Sequence, residues 1–169
     1  MKRAIFIVFL FTLLCPMASV SALVSLADEG ADAAQSNLDL VASGYAAFAS
    51  GDMDAVMSLM APELIWHEAE SLPYGGIYHG PEAVMENVFS AIVQDWDEYQ
   101  AEPMRFIDGD DHIVVLGEYR GIHRESGKRL QVPFAHIWRM KDGRLIEFHQ
   151  FTDTMAWIEA AERARAVND

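Results

Sequence analysis

A single cysteine, Cys15, occurs among the 169 residues, and basic residues are scarce: 12 Lys and Arg stand against 26 Asp and Glu, for a formal charge of -14. Cys15 lies in the leading segment, so a chain cut behind that segment has no disulfide and no thiol chemistry, and its fold depends on its core alone. A surface this acidic repels nucleic acid and anionic lipid, which removes both from the expected partners. The longest apolar run, Ala4 to Leu14, is broken only by Thr12 and is shorter than the roughly 20 residues a membrane-spanning helix needs. The six histidines show no His-x-x-x-His helical spacing and no His-x-His strand pair, so spacing predicts no metal site. A phosphate-cradling glycine loop and a nucleophile elbow are both missing, and no cofactor is expected.

What the chain does have begins with a targeting pattern. Lys2 and Arg3 form a basic start, the apolar run follows, and small residues close it. Val20-Ser21-Ala22 fits a cleavage signal, with Ser25-Leu26-Ala27 as a second candidate, so residues 1–22 read as a signal peptide cut as late as 27. An uncleaved anchor requires the apolar stretch to continue through Leu26. A lipoprotein anchor is disfavoured because Cys15 follows Leu14 rather than a small residue. The expectation is export to a periplasm or the exterior, with no membrane attachment after cleavage. Cutting after Ala22 leaves 147 residues, suited to one domain, and the loss of Lys2 and Arg3 moves the charge to -16.

Residues 28–36 are small and polar and read as a short tether to a domain over 37–167. Leu38, Val41, Tyr45 and Phe48 recur at helical spacing, and Gly51 stops that helix. Asp52 is a candidate N-cap for a second short helix with Val56, Leu59 and Met60 inward, ended by Pro62. Leu64 to Glu68 reads as a strand and Ala69 to Tyr78 as a loop. Pro81, in first-turn position, opens a third helix to Gln94 with Val84, Val88, Phe89 and Ile92 buried. Four strands follow, near Tyr99 to Ile107, His112 to His123, Arg129 to Met140 and Arg144 to Thr152. They are separated by Asp108 to Asp111, Glu125 to Lys128 and the hairpin dipeptide Asp142-Gly143. Pro133 cannot donate to a ladder, so its strand is at an edge or bulged there, and a bulge is the preferred reading. A last helix begins near Asp153 and ends by Val167. Helices first and an antiparallel meander after them predict an α+β fold: a curved antiparallel sheet wrapped over the N-terminal helices, closed by a C-terminal helix, with a conical pocket between the layers.

Several pieces in order carry a resemblance: Gly51-Asp52 after an aromatic-bearing helix, Trp66 with Glu68, Gly76-x-Tyr78-x-Gly80-Pro81, and His136-x-Trp138 through Asp153-Thr154. Over about Asn37 to Trp157 the chain resembles the NTF2-like (cystatin-like) superfamily, in its SnoaL-like and ketosteroid-isomerase-related branch. The resemblance implies a cone-shaped small-molecule pocket and points toward a homodimer. Ketosteroid isomerase uses an Asp base with a Tyr and a protonated Asp as donors. Counting from Gly51-Asp52, Glu68 falls where that base would sit, but the Tyr position falls on Gly44, one residue from Tyr45, and the donor Asp is replaced by Ala135 before His136. Both donors are lost, so ketosteroid isomerase activity is not expected. SnoaL-type cyclases use a pocket Asp as general acid/base, and Asp153 is the nearest counterpart.

Each candidate has a structural reading beside the chemical one. Asp153 is either the pocket acid/base or a helix cap. Glu68 shares a strand face with Trp66, so it faces the pocket if Trp66 does; otherwise it is a rim acid at a strand end. His136, on a face with Phe134 and Trp138, is a ligand-orienting group or a hydrogen-bonded core residue. Gln150 orients a ligand or bridges strands. Tyr45, Trp66, Tyr78, Phe134 and Trp138 line the pocket or fill the core. The leading reading is an exported protein binding a small, largely apolar molecule with a carbonyl or hydroxyl, with cofactor-free acid/base chemistry of isomerase, cyclase, hydratase or hydrolase type. The alternative is a non-catalytic binding or dimeric interaction module. The sequence names neither the ligand nor the acid/base, and does not establish turnover. An outer sheet face carrying Ile137 predicts dimerisation.

Overall fold

The computed structural model describes residues 37–162. The leader and the tether lie outside the described residues, and no helix among the described residues is long and apolar enough to cross a membrane.

Helix α1 spans 37–50 and turns Val41 and Tyr45 inward. Gly51, at φ 76°, ends it in a left-handed turn: its N–H donates to Phe48 O and the Asp52 N–H to Ala47 O. Asp52 then caps α2 (Met53–Ser58) by accepting from Ala55 N. Strands β1 (Met60–Glu68) and β2 (Gly76–His79) form a hairpin-like pair. Pro81 opens a continuous helical stretch made of α3 (Pro81–Val84), a π-helical turn (Met85–Phe89) and α4 (Ser90–Asp95). Ser90 Oγ donates to Met85 O, five residues back, at the end of the π turn. Val84, Val88, Phe89 and Ile92 are buried, as their spacing predicts.

The meander follows: β3 (Trp96–Gly109), β4 (His112–His123), β5 (Arg129–Lys141) and β6 (Arg144–Thr152), and α5 (Thr154–Ala161) ends the described chain. The sheet order is β2-β1-β6-β5-β4-β3, antiparallel throughout except for the parallel β1–β6 seam. Asp142 at φ 51° and Gly143 at φ 71° make the tight β5–β6 turn. Two irregularities in β3, between Asp97 and Gln100 and between Pro103 and Arg105, bend the sheet. Gly117 faces that second irregularity. A Cβ there would come within 2.3 Å of both Glu102 O and Phe134 Cζ, so only glycine permits the close approach.

Five sequence expectations are corrected. Pro62 does not end α2, which stops at Ser58; it lies within β1, which starts at Met60 rather than Leu64. The β1–β6 register shifts between Met60 and Ile65, so the missing N–H of Pro62 breaks no regular ladder. The segment expected to be all loop contains β2. Strand β3 begins at Trp96, three residues before Tyr99. Pro133 is not bulged: its register with Glu118 is regular, and the bulge of β5 lies between Arg139 and Met140. The Pro133 carbonyl accepts from Thr152 Oγ1, the last residue of β6, so the nitrogen on that same side lies beyond the end of its neighbour strand.

Candidate functional site

Strand parity gives the sheet two faces. Leu64, Trp66 and Glu68 of β1, Phe148 and Gln150 of β6, Phe134 and His136 of β5, and Val115 and Tyr119 of β4 point inward and are buried. Helix α1 lays Tyr45 over them. Between the layers is a cavity of about 70 Å³ lined by Tyr45, Trp66, Glu68, Phe89, Tyr99, Tyr119, His136, Trp138, Phe148 and Gln150, among others. Aromatic side chains take up most of the cone: Trp66 stacks on Phe148 at 3.7 Å between ring centroids, and Phe134 on His136 at 4.0 Å.

One hydrogen-bonded relay crosses this interior. Trp138 Nε1 donates to the Tyr45 hydroxyl (3.2 Å), which meets His136 Nδ1 at 2.6 Å; His136 Nε2 bonds the Tyr119 hydroxyl. Gln150 Nε2 donates to that hydroxyl (2.8 Å), and the Ala69 N–H fixes the amide by donating to Gln150 Oε1 (3.2 Å). A neutral imidazole has one donor and one acceptor nitrogen, so one tyrosine donates to His136 and the other accepts from it. The accepting tyrosine already receives an N–H from Trp138 or Gln150, so its own hydroxyl hydrogen is unspent within the relay. Burial holds His136 neutral by pushing its pKa from 6.5 to about 3. Burial also raises Tyr45, Tyr99 and Tyr119 well above their ordinary value, keeping them protonated.

Glu68 is 3 % exposed. Trp66 Nε1 donates to its Oε2 at 2.8 Å, while Oε1, also buried, has no hydrogen-bond partner among the described residues. Desolvation raises its pKa from 4.5 to about 7, with the hydrogen bond from Trp66 and the neighbouring Gln150 pulling part of the way back. Its environment suits a group that exchanges a proton near neutral pH.

The structure brings together Glu68, His136, Gln150, Tyr45, Trp66 and Trp138. It places the others elsewhere. Asp153 is exposed at the N-cap of α5, accepting from Ala156 N at 3.2 Å, and does not line the cavity. Tyr78 is half-buried and donates to Tyr74 O. Phe134 stands behind the wall, stacked on His136 and Tyr45. Tyr119 and Tyr99 are site residues that the sequence reading missed. The alternation Ile113, Val115, Gly117, Tyr119 in a recognised strand carried the signal for Tyr119. Away from the cavity, on the outer face, His67, Glu147 and His149 converge closely enough to hold a metal ion.

The model of the SnoaL-like domain matches residues 41–148, and the chain belongs to the SnoaL-like family of the NTF2-like superfamily. Among solved structures it is similar to an NTF2-like protein from Burkholderia thailandensis (32 % identity, TM-score 0.72, covering 75 % of this chain and 97 % of that one). It is also similar to an NTF2-like protein of unknown function from Burkholderia pseudomallei (29 %, TM-score 0.70, 75 % and 97 %). A third is TerC, co-crystallised with polyporic acid (25 %, TM-score 0.68, 75 % and 98 %). No curated protein matches.

Proposed function

We propose that the protein binds a small, largely apolar molecule bearing a carbonyl or hydroxyl in the aromatic cone, and that Glu68 moves a proton on it without a cofactor. The carrying observation is the buried Glu68 carboxyl on the cavity wall, with Oε1 unpartnered among the described residues. A buried carboxyl oxygen left without a partner is costly and needs an explanation, and a ligand donor or a C–H acid at that point supplies one. The unspent tyrosine hydroxyl hydrogen beside His136 is a donor for the ligand's oxygen, with Gln150 holding the arrangement. Reactions of isomerase, cyclase, hydratase or hydrolase type fit an acid/base carboxyl facing a hydroxyl donor. Co-crystallisation of the relative TerC with polyporic acid supports a small-molecule role.

The second reading is a non-catalytic binding or interaction module, favoured by the cavity's size. Its 70 Å³ is about half the ~150 Å³ of an engineered cavity that takes up benzene. A larger ligand requires lining side chains to move, and Phe48 and Tyr99 are lining aromatics that are only half-buried.

Compounds of the carbonyl and phenol classes that raise the melting temperature identify ligands. Turnover of any of them falls by roughly 10²- to 10⁴-fold in Glu68→Gln if Glu68 is the acid/base. Unchanged turnover in that variant rules this role out, and binding without turnover in either protein selects the second reading.

Two further features belong to the same proposal. Ile65, Ile77, Leu116 and Phe151 are exposed large apolar residues on the outer sheet face, which supports a homodimer covering that face. The leading segment supports export, with a mature N-terminus at Leu23 or Asp28 by mass spectrometry.

A further inference from the structure

On the outer face, directly behind the cavity, the parallel seam sets His67 of β1 beside His149 of β6 as register partners. Their rings stack at 4.1 Å between centroids with 6° between planes. Glu147, two residues before His149 and on the same face, reaches both: its Oε1 lies 2.9 Å from His149 Nε2 and 3.9 Å from His67 Nε2. Arg139 Nη1 holds the other oxygen, Oε2, at 3.0 Å, which keeps Oε1 turned toward the imidazoles. The three candidate ligand atoms lie within 4.8 Å of one another, and the three side chains are only 28–34 % exposed.

We infer that His67, Glu147 and His149 form a binding site for a divalent transition-metal ion of the zinc, nickel or copper class. Imidazole and carboxylate donors suit these ions, while two nitrogens among three ligands disfavour magnesium and calcium. A tetrahedral ion with bonds of about 2.0–2.1 Å holds its donors roughly 3.4 Å apart. The separations of 2.9 and 3.9 Å bracket that distance, so modest side-chain shifts admit the ion. Arg139 acts from outside the ligand set by fixing the carboxylate as a one-oxygen donor, the kind of support that orients metal ligands. The fourth position faces outward, to water or to a covering second copy. The chain's charge of -14 favours cation capture.

Position defines the role. The ion joins β1 to β6, the one parallel seam of the sheet, and the residues that follow its two histidines, Glu68 and Gln150, face the cavity from the other side. The site is structural: it pins the two strands that carry the polar pair of the pocket. Spacing along the chain does not reveal it, because its histidines come from strands far apart in sequence.

The test uses full-length protein without an affinity tag, freed of metal by a chelator and titrated with zinc chloride by calorimetry, with magnesium chloride as the hard-cation control. One zinc per chain, a raised melting temperature with zinc and no response to magnesium are expected. His67→Gln and His149→Gln should each weaken zinc binding by at least about tenfold, and the double variant should abolish both the heat and the thermal shift. His112→Ala, which removes the exposed histidine paired with Asp111 elsewhere, should bind zinc as the unmodified protein does. Cobalt supplies a spectroscopic check, since its visible absorption reports a low-coordinate nitrogen and oxygen site and should vanish in the double variant. Circular dichroism and a cooperative melt of the metal-free double variant separate loss of the site from loss of the fold. No stoichiometric zinc uptake, or uptake undiminished in the folded double variant, overturns the inference.

Discussion

Glu68 and His136 occupy one buried interior as an acid and a base that are both uncharged near pH 6, and their effects on stability oppose each other. His136 is neutral in the fold down to about pH 3, while the unfolded chain protonates it near 6.5. A depressed folded pKa contributes stability that is present above 6.5 and lost as the pH falls toward 3. Glu68 keeps its proton in the fold up to about pH 7, while the unfolded chain releases it near 4.5. A raised folded pKa contributes stability that is present below 4.5 and lost as the pH rises toward 7. Between 4.5 and 6.5 the folded and unfolded chains therefore hold equal numbers of protons at this pair, and the pair imposes no slope. Glu68→Gln removes the compensation. Stability of the variant should then fall with acid by about 1.4 kcal/mol per pH unit, or roughly 3 kcal/mol across that window. The tyrosines around the pair (Tyr45, Tyr74, Tyr99 and Tyr119) are all raised and stay protonated throughout, so they carry none of this slope. Surface groups common to both proteins cancel in the difference. Urea unfolding of both proteins at half-unit intervals from about pH 4.5 to 7.5 measures it. Parallel curves would refute the reasoning, because they would mean that Glu68 has the same proton affinity folded and unfolded.

Asp153→Asn should be nearly silent in thermal unfolding, since Asn also caps helices, whereas Asp153→Ala should cost about 0.5–2 kcal/mol; a turnover defect in a folded Asn variant would restore a chemical role to this residue. Gly117→Ala should destabilise by about 1–3 kcal/mol or more in the same assay, because the new methyl overlaps a backbone oxygen and the Phe134 ring, and a neutral result would contradict the close approach of β3 to β4. Phe151, 54 % exposed on the outer face, should be replaceable by Glu without unfolding the chain; if the proposed homodimer covers that face, sedimentation should give a dimer mass for the unmodified chain and a monomer mass for the variant.

Much of the architecture is legible in the sequence because one face of the sheet is buried and one is not. The bounds of β4 and β6 follow from alternation and turn residues, and Asp142-Gly143 announces its hairpin by chemistry. The extended β1 is harder, since Met60 reads as an inward helix residue with Pro62 ending the helix, and Pro62 argues against a ladder that is in fact irregular there. A four-residue β2 inside a segment rich in glycine and proline has too few positions to show a period. In the site, parity alone groups Trp66 with Glu68 and His136 with Trp138. The pairing of His136 with Tyr45 and Tyr119 depends on which strands become neighbours, and local pattern does not encode that. Asp153 has a side chain suited both to capping and to acid/base work, so its sequence context leaves the two roles unresolved.

The seam between β1 and β6 also orders the events of folding. Glu68 and Gln150 meet only when the first strand of the domain finds the last, and Ala69 and Gln150, which bond across it, are 81 residues apart in the chain. During synthesis, β3, β4 and β5 can pair locally as they emerge, but β1 and β2 have no sheet to join until Arg144 to Thr152 has been made. Until then the inward edge of β5 stays open and the Trp66–Phe148 stack is unmade. The polar heart of the cavity thus cannot form before β6 has been made, and a chain stalled or truncated short of β6 can hold most of the meander while lacking the cavity.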